Sequence, residues 1–150
     1  MTQAVARKLI FRLGGVAFSL DLSFIVEICE PDTALLDTSC ADTDAGIVGS
    51  LSFRNTKVPA IDPALVFDLP ASIPYSAKTA LLLNSSEGNW ALLVDRVGEI
   101  SQADKFKPLV IPPLLRGTIG GSYSQVELFD REPVVCFEPE CFYGATGLAI

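Results

Sequence analysis

The 150-residue sequence contains no histidine. Histidine is the side chain that most readily serves as a general base near neutral pH, and it is the commonest ligand of transition metals. Its absence excludes Ser-His and Cys-His nucleophilic pairs and most transition-metal sites. An enzyme built from this chain would therefore depend on carboxylate or lysine chemistry.

Cysteine is scarce, and its spacing is irregular. The four cysteines are Cys29, Cys40, Cys136 and Cys141. They form none of the C-x-x-C pairs that zinc sites use, which leaves a four-thiolate metal site as a minor alternative. We expect reduced thiols, buried or half-buried, because disulfides rarely persist in the cytoplasm. The sequence predicts neither a cofactor nor a bound metal.

Basic residues are fewer than acidic ones, with 11 Lys and Arg against 18 Asp and Glu and a net charge of −7. This balance argues against binding of nucleic acid or of an anionic membrane surface, since both need clustered cations. No apolar run approaches the roughly 20 residues of a membrane span, and residues 1–8 lack the apolar core of a signal peptide. We expect a cytoplasmic protein without direct membrane insertion.

Hydrophobic residues make up 49% of the chain and fall into short segments. Residues 8–22 alternate around Gly14-Gly15, which predicts a hairpin with one apolar face. The predicted core-facing pairs are Leu13 with Val16, Phe11 with Phe18 and Leu9 with Leu20. Residues 79–84 and 89–95 are continuous apolar runs, which predicts strands buried on both faces.

The rest of the chain adds more short strands and little helix. Asp62 followed by Pro63 is typical of a helix start, which predicts a helix over 63–69. Further strands are predicted over 23–30 and 97–101, and a last hairpin is predicted from 125–129 and 133–137 around the three-residue turn 130–132. A loop is predicted over 32–45, an extended connector over 105–113, an apolar and then glycine-rich segment over 114–121 and a closing helix over 138–144. This pattern indicates an all-β fold. A single eight-strand barrel and two small barrels sharing a core both fit it.

Residues 48–62 predict a second hairpin, with its turn at residues 55–56. The predicted apolar pairs are Phe53 with Val58 and Leu51 with Ala60. The other face then places Arg54 directly opposite Lys57, and like charges opposite each other are unfavourable in a sheet. Two interpretations stay open: a docking surface for an anionic or carbonyl-rich partner, or a solvated outer face.

The best candidate for catalysis is the carboxylate pair Asp95 and Glu99, because paired carboxylates can divide acid and base roles. A turn cap and a salt bridge explain the same pair without catalysis. Asp62 is interpreted as a helix cap and Asp130 as a turn residue. Solvated positions flanking strands are predicted for Lys78, Lys105 and Lys107. No nucleophile–base pair or phosphate-binding loop is present, so we predict a binding protein rather than an enzyme.

Several segments, in order, resemble CheW-like domains, the coupling proteins of bacterial chemotaxis. Residues 49–62 (GSLSFRNTKVPAID) resemble the family's G-V-I-N-L-R-G-x-V-V-P-V-I-D signature. Ile25-Val-Glu-Ile28 resembles its V-x-E-I strand, and residues 90–100 resemble its G-L-x-V-D-x-V-x-E-V run. The opening hairpin, the proline-bearing connector and the final hairpin match as well, so the resemblance spans residues 8–143.

The resemblance implies one domain over residues 1–150, built from two five-stranded SH3-like β-barrel subdomains. These would intertwine around a shared hydrophobic core, with short helices and a link between halves near 70–78. It implies no catalysis and no cofactor. It implies a scaffold that joins the cytoplasmic tip of a chemoreceptor (a methyl-accepting chemotaxis protein) to the regulatory domain of a CheA-type histidine kinase. The receptor would bind between the barrels, and the kinase would pair with one barrel end to end.

Carried over by position, the resemblance places Ile25, Glu27, Gly49 and Arg54 on the receptor-binding surface. Gly49 would permit close backbone approach. Lys57 is an additional docking candidate.

Four departures from the family pattern lie near the proposed partner surfaces: Ser52-Phe-Arg-Asn55 for N-L-R-G, Pro63 for a leucine, Phe137-Glu138 for the terminal L-D, and an unusually acidic and polar loop over 32–45. Alternatives are an adaptor of a non-chemotaxis signalling array, a β-barrel that binds a small ligand, and a carboxylate-dependent hydrolase.

Overall fold

A computed structural model describes residues 6–29, 36–37, 46–66, 74, 77–85, 88–109 and 126–139. Within them lie twelve strands, one short α-helix and two three-residue 3-10 turns, at Leu22–Phe24 and Ala103–Lys105. The strands are β1 (Arg7–Leu13), β2 (Val16–Asp21), β3 (Ile25–Cys29), β4 (Leu36–Asp37), β5 (Ile47–Phe53), β6 (Thr56–Ile61), β7 (Thr79–Leu83), β8 (Trp90–Val94), β9 (Arg96–Gln102), β10 (Lys107–Leu109), β11 (Val126–Phe129) and β12 (Glu132–Cys136). The helix α1 covers Pro63–Val66. The predicted all-β class is confirmed.

The strands form two six-stranded sheets. Sheet one has the order β10-β11-β12-β2-β1-β9, and sheet two has the order β3-β7-β8-β6-β5-β4. Pairing is antiparallel except for β2 with β12 and β6 with β8, which are parallel. The chain passes from sheet one to sheet two through the 3-10 turn after β2, and it returns at Asp95. Of the predicted link near 70–78, only residues 74, 77 and 78 lie within the described part, so that link stays a prediction.

The two sheets share one topology. Each has a central hairpin (β1–β2 or β7–β8), a second hairpin parallel to it (β11–β12 or β5–β6) and a short outer strand (β10 or β4). The remaining strand, β9 or β3, is exchanged between the sheets. In the chain it follows the central hairpin of the other sheet, and the ladder that it forms contains a bulge. Each sheet counts six strands rather than five because β10 and β4, only two or three residues long, are included.

Three clusters of apolar side chains fill the molecule. One lies between the sheets and takes residues from both: Leu9, Phe11, Leu13, Phe18 and Leu20 from sheet one, Ile61, Leu81, Leu83, Trp90, Leu92 and Val94 from sheet two, and Phe137. The second fills sheet two's interior and the third fills sheet one's. Alternate residues of β7 and β8 point into the shared cluster and into sheet two's interior, which explains why both strands are apolar without interruption.

The register of the first hairpin is as predicted, with Leu9 opposite Leu20 and Phe11 opposite Phe18. The Phe11 and Phe18 rings stack with centroids 5.4 Å apart, within the range that favours aromatic pairs. The predicted helix start is also confirmed, because the Asp62 carboxylate accepts a hydrogen bond of 3.0 Å from the Ala64 amide.

The predicted register of the second hairpin is wrong, because the turn lies one residue earlier in the chain than predicted. The turn lies at Arg54-Asn55, so Phe53 pairs with Thr56 and Lys57 lies opposite Ser52. Both turn residues have positive φ, at 50° and 64°, a conformation that asparagine tolerates and the β-branched Thr56 resists. Arg54 and Lys57 are therefore not opposed. The apolar face survives because the pairing shifts by two residues, and side chains alternate with a period of two.

Two further predictions need correction, one is confirmed, and others lie outside the described residues. The turn of the last hairpin is Asp130-Arg131, with Phe129 opposite Glu132, rather than three residues long. The predicted loop over 32–45 contains β4. Cys29 is half-buried and Cys136 is buried, both as free thiols, as expected. Cys40, Cys141, the glycine-rich residues 114–121 and most of the predicted closing helix lie outside the described residues.

Lys78 is not solvated, contrary to the prediction; its side chain is only 1% exposed. Its ammonium lies 2.7 Å from Asp95 and 3.9 Å from Asp62. The Asp95 carboxylate also accepts a hydrogen bond of 2.8 Å from the amide of Gly14, in the β1–β2 turn. This buried ionic cluster links the β1–β2 turn of sheet one to Lys78, the residue that precedes β7 in sheet two. Sequence spacing could not show it, because the three charged residues are far apart in the chain.

Sheet one's interior contains a second internal ion pair, between Lys8 and Glu127, at 2.6 Å. Burial by itself would lower the pKa of Lys8, but the hydrogen bond to Glu127 and the neighbouring negative groups raise it overall. The ammonium also lies 5.3 Å from the centre of the Phe106 ring, within cation–π range. Sheet two's interior cluster, by contrast, is apolar.

Arg12 and Glu132 form a two-pronged ion pair with contacts of 3.0 and 2.7 Å. The Arg12 hydrogen bonds lower the pKa of Glu132 in the folded chain. A carboxyl group whose pKa is lower in the folded than in the unfolded chain stabilises the fold at pH values above its unfolded-state pKa. This stabilisation is lost as the pH falls through the folded-state pKa. We expect the urea midpoint of the wild type to exceed that of Glu132→Gln at pH 7, with the difference vanishing towards pH 3. A difference independent of pH would contradict this assignment.

Candidate docking surface

Three connections meet at one end of sheet two: the start of β3, the β7–β8 turn and the tip of the β5–β6 hairpin. Ile25 lies opposite Leu83, and the Asn84 amide donates a 3.0 Å hydrogen bond to the Phe24 carbonyl. Gly88 and Asn89 line a groove together with the hairpin. We call this the docking end, defined as residues 23–28, 53–59, 84–85 and 88–89.

Arg54 stands at the hairpin tip of the docking end. Its exposed guanidinium lies over the Phe53 ring, 4.8 Å from the centroid. Its φ of 50° is a left-handed conformation that costs a non-glycine residue roughly 1–2 kcal/mol. The guanidinium of Arg54 is therefore exposed to solvent, packs on the Phe53 ring and lines the same groove as the β7–β8 turn.

The groove beside this tip is open and has a volume of about 450 Å³. Phe53, Val58 and Pro59 give it an apolar floor, and Arg54 and Lys57 add positive charge. Lys57 also forms an exposed ion pair of 3.3 Å with Asp37 of β4. Its ammonium is therefore shared with the carboxylate of Asp37, whereas the guanidinium of Arg54 lies over an aromatic ring.

Strand β3 supplies the other side of the docking end. Ile25 is half-buried and packs on the shared cluster, whereas Glu27 is exposed. Sequence reasoning missed the two most accessible apolar residues of this strand, Val26 at 38% and Ile28 at 37% exposure. The signal was present: residues 25–29 are apolar at both odd and even positions, so an edge strand must expose some of them. The ladder irregularity between Ile25 and Glu27 marks where Val26 bulges.

The Cys29 thiol lies 3.9 Å from the Glu27 carboxylate on this strand. Burial raises the pKa of Cys29, and the negative charge of Glu27 raises it further. A thiol in this state is a poor nucleophile, because the reactive form is the thiolate. Cys29 is thus a packing residue at the edge of sheet two's interior.

Gly49 is buried, and its need for glycine arises within the chain itself. A Cβ at Gly49 would collide with the Asp37 carbonyl oxygen and lie 2.9 Å from its carbon. The close backbone approach at Gly49 is thus to β4 of the same chain, and its predicted place on the receptor-binding surface stays a prediction. It allows β4 to reach Lys57 and complete the outer edge of sheet two.

We expect Gly49→Ala to destabilise the protein by about 1–3 kcal/mol, because the added methyl must push β4 away from β5. Chemical denaturation measures this loss. Gly98→Ala is a graded comparison, since its Cβ would lie 3.2 Å from the Ile10 carbonyl oxygen, and a smaller loss is expected. Equal stability of Gly49→Ala and wild type would show that β4 does not pack as described.

Comparison with known proteins identifies the family. The model of the CheW-like domain family matches residues 7–121 of the chain. The chain belongs to the CheW-like domain family. Among solved structures, this CheW-like domain is similar to the scaffolding protein TtCheW from Thermoanaerobacter tengcongensis, with a TM-score of 0.73 and 17% identity over 91% of this chain and 86% of that one. A search of curated protein sequences found no match.

This likeness confirms the two predicted SH3-like subdomains, which correspond to sheet one and sheet two. CheW-like domains are non-catalytic scaffolds of chemotaxis signalling. The chain is accordingly an adaptor and not an enzyme. Among the described residues, no helix is long and apolar enough to cross a membrane.

The carboxylates singled out from the sequence fit this conclusion. In this CheW-like domain Asp95 is occupied by Lys78 and by the Gly14 amide, so it caps a turn. Glu99 lies on β9 and lines a separate groove with Arg12 and Glu132. In the described parts of the chain, no cluster of Cys, Asp and Glu is suited to a metal ion. The grooves lined by described residues are open to solvent, so none of these grooves is the closed cavity that the small-ligand alternative predicts.

Proposed function

We propose that this CheW-like domain joins the cytoplasmic tip of a chemoreceptor to the regulatory domain of a CheA-type histidine kinase, in the cytoplasm. The observation that supports this best is the docking end, where exposed apolar residues of β3 face a cationic hairpin tip across the β7–β8 turn. Ile25, Glu27, Arg54 and Lys57 all belong to it. Gly49 contributes indirectly, because its lack of a side chain lets β4 pack closely against β5.

The dimensions of the docking end suit a helical partner. From β3 to β6 there are three inter-strand steps, which amounts to roughly 14 Å at about 4.8 Å each. An α-helix with its side chains is about 10–12 Å wide. In this proposal a receptor-tip helix lies across the β7–β8 turn, with its apolar side chains on Val26 and Ile28. Arg54 then pairs with an acidic or carbonyl group at the partner's rim.

The experiment that tests this role compares two arginines in equivalent turns. Arg54 lies in the β5–β6 turn and Arg131 in the β11–β12 turn, both exposed and both at positive φ. We expect Arg54→Glu to weaken binding to a receptor-tip fragment from the same genome by at least tenfold, measured by calorimetry. The matched variant Arg131→Glu should bind as the wild type does.

Two results would overturn the proposal. In the first, the wild-type chain binds neither the receptor tip nor the kinase regulatory domain at concentrations up to about 1 mM, the weak limit of specific association. In the second, Arg54→Glu and Arg131→Glu have the same small effect, which would move receptor binding away from the docking end. Thermal unfolding of both variants checks that the fold is retained.

A further inference from the structure

Strand β4 brings an acidic side chain to the docking end. The strand belongs to residues 32–45, which contain four aspartates and no basic residue and are one of the departures from the family pattern. A carboxylate oxygen of Asp37 lies 3.3 Å from the ammonium of Lys57. Lys57 and Arg54 are the two cations that line the groove of the docking end. A surface that we assign to an acidic partner therefore already contacts a carboxylate of its own chain.

The contact between Asp37 and Lys57 crosses β5. Asp37 pairs with Ser50 on one edge of β5, and Lys57 lies opposite Ser52 on the other edge. Paired residues project to the same face of a sheet, and so do residues two apart in a strand, so these four side chains share one face. The lysine side chain thus extends over β5 to reach β4, and the two serines are small enough to let it pass.

The ion pair of Asp37 and Lys57 can open without loss of β4. The two side chains are 43% and 66% exposed, so water screens both charges and the pair contributes little to stability. The strand is held instead by its backbone pairing with β5 and by its close approach to Gly49. A carboxylate from another molecule can therefore replace Asp37 at Lys57 at small energetic cost.

We propose that Asp37 determines the specificity of the docking end by competing for Lys57 with the carboxylates of other molecules. This inference rests on the proposed function, because it concerns which partners the docking end accepts. With the ion pair closed, Arg54 is the cation that the groove leaves to a partner. Its guanidinium lies over the Phe53 ring and forms no ion pair within the described residues.

The competition acts against strongly acidic partners. A partner that places a single carboxylate at Arg54 binds without disturbing the pair of Asp37 and Lys57. A partner with several carboxylates gains a second contact only by displacing Asp37, so part of that gain is lost. Such selectivity weakens the wrong complexes rather than adding contacts to the right one.

An NMR titration of the purified chain with a short oligo-glutamate tests the competition. The backbone amides of residues 55–58 report binding at the hairpin separately from cations elsewhere on the chain. At about 50 mM salt, where exposed charges are weakly screened, Asp37→Asn should bind about threefold or more tightly than the wild type at these amides. The double variant Asp37→Asn, Lys57→Met should lose this gain, because no ammonium is freed.

Asp104→Asn is the matched control, because it removes one exposed carboxylate at the 3-10 turn that precedes β10 in sheet one. At residues 55–58 it should bind oligo-glutamate as the wild type does. Equal affinities of Asp37→Asn and the wild type overturn the proposal. So does a gain that persists when Lys57 is replaced, or one that Asp104→Asn reproduces.

The receptor-tip fragment is titrated in parallel by calorimetry. Its affinity should differ by less than about twofold between the wild type and Asp37→Asn, because its acidic group is placed at Arg54. A gain as large as that for oligo-glutamate would show that Asp37 does not discriminate between partners, which overturns the proposal. A wild type that fails to bind the fragment refutes the proposed function instead, and the oligo-glutamate titration then still decides whether Asp37 competes for Lys57.

Discussion

Replacing Lys78 by methionine should lower the free energy of unfolding by about 3–5 kcal/mol. Methionine matches the length of the lysine stem but carries no charge, so Asp62 and Asp95 lose their buried cation. Both carboxylates are largely removed from water, with side chains 4% and 13% exposed. A buried charge without its partner retains its desolvation cost, which is why the loss is large. Urea unfolding followed by Trp90 fluorescence measures it.

Lys57→Met is the matched control for Lys78→Met. Lys57 also forms an ion pair, with Asp37, but the two side chains are 66% and 43% exposed. Exposed pairs contribute about 0–1 kcal/mol, so this variant should remain close to wild type. If Lys78→Met were as stable as Lys57→Met, the buried ionic cluster would not hold the two sheets in register as described.

Replacing Ile28 by glutamate should weaken binding of the receptor-tip fragment by at least about 30-fold, equivalent to roughly 2 kcal/mol. Ile28 is exposed in the free chain, so the substitution should change stability by no more than about 0.5 kcal/mol. In the complex the introduced carboxylate would be buried against the partner's apolar face beside Glu27. Calorimetry gives the affinity and thermal unfolding gives the stability.

Val16→Glu provides the comparison for Ile28→Glu, because Val16 is 36% exposed, nearly the same as Ile28, but lies at the β1–β2 turn of sheet one. Its affinity for the receptor tip should equal that of the wild type. Equal losses for Val16→Glu and Ile28→Glu would indicate a non-specific effect of added negative charge. No loss for either variant would remove β3 from the docking surface.

Strand identity followed from the sequence wherever hydrophobic alternation was strict. Leu9, Phe11 and Leu13 face the shared cluster because every second residue of β1 is large and apolar, and the Gly14-Gly15 turn fixes their register. The continuous runs of β7 and β8 likewise indicated burial on both faces. That the two faces belong to two different clusters depends on how the sheets pack, which a single strand does not encode.

Register was harder to predict where the turn residues were ambiguous. Residues 53–58 offer two possible two-residue turns, and the positive φ demanded at both positions selects Arg54-Asn55 over Asn55-Thr56. The alternation of the strands does not distinguish them, since the two registers differ by two residues. The prediction that Arg54 lies opposite Lys57 was wrong because it assumed the Asn55-Thr56 turn.

The candidate docking residues also differ in whether the sequence could identify them. Arg54 and Glu27 were named through the family resemblance; both are exposed, and their part in docking stays a prediction. Val26 and Ile28 were missed because their exposure depends on the bulge in β3 and on the position of β3 at the edge of the sheet that the described residues form. The role of Gly49 was predicted as close approach, but its neighbour, β4, lay inside a segment interpreted as loop. Lys78 was misplaced because burial of a lysine requires two distant carboxylates to converge on it.

The central claim is that this chain bridges two proteins, and a retention experiment tests it most directly. A receptor-tip fragment is immobilised, and the histidine kinase regulatory domain is added with and without the chain. We predict that the kinase domain is retained only when the wild-type chain or Arg131→Glu is present, and that Arg54→Glu abolishes retention. Retention of the kinase domain at the same level without the chain, or its complete absence with the wild-type chain, would contradict the adaptor role.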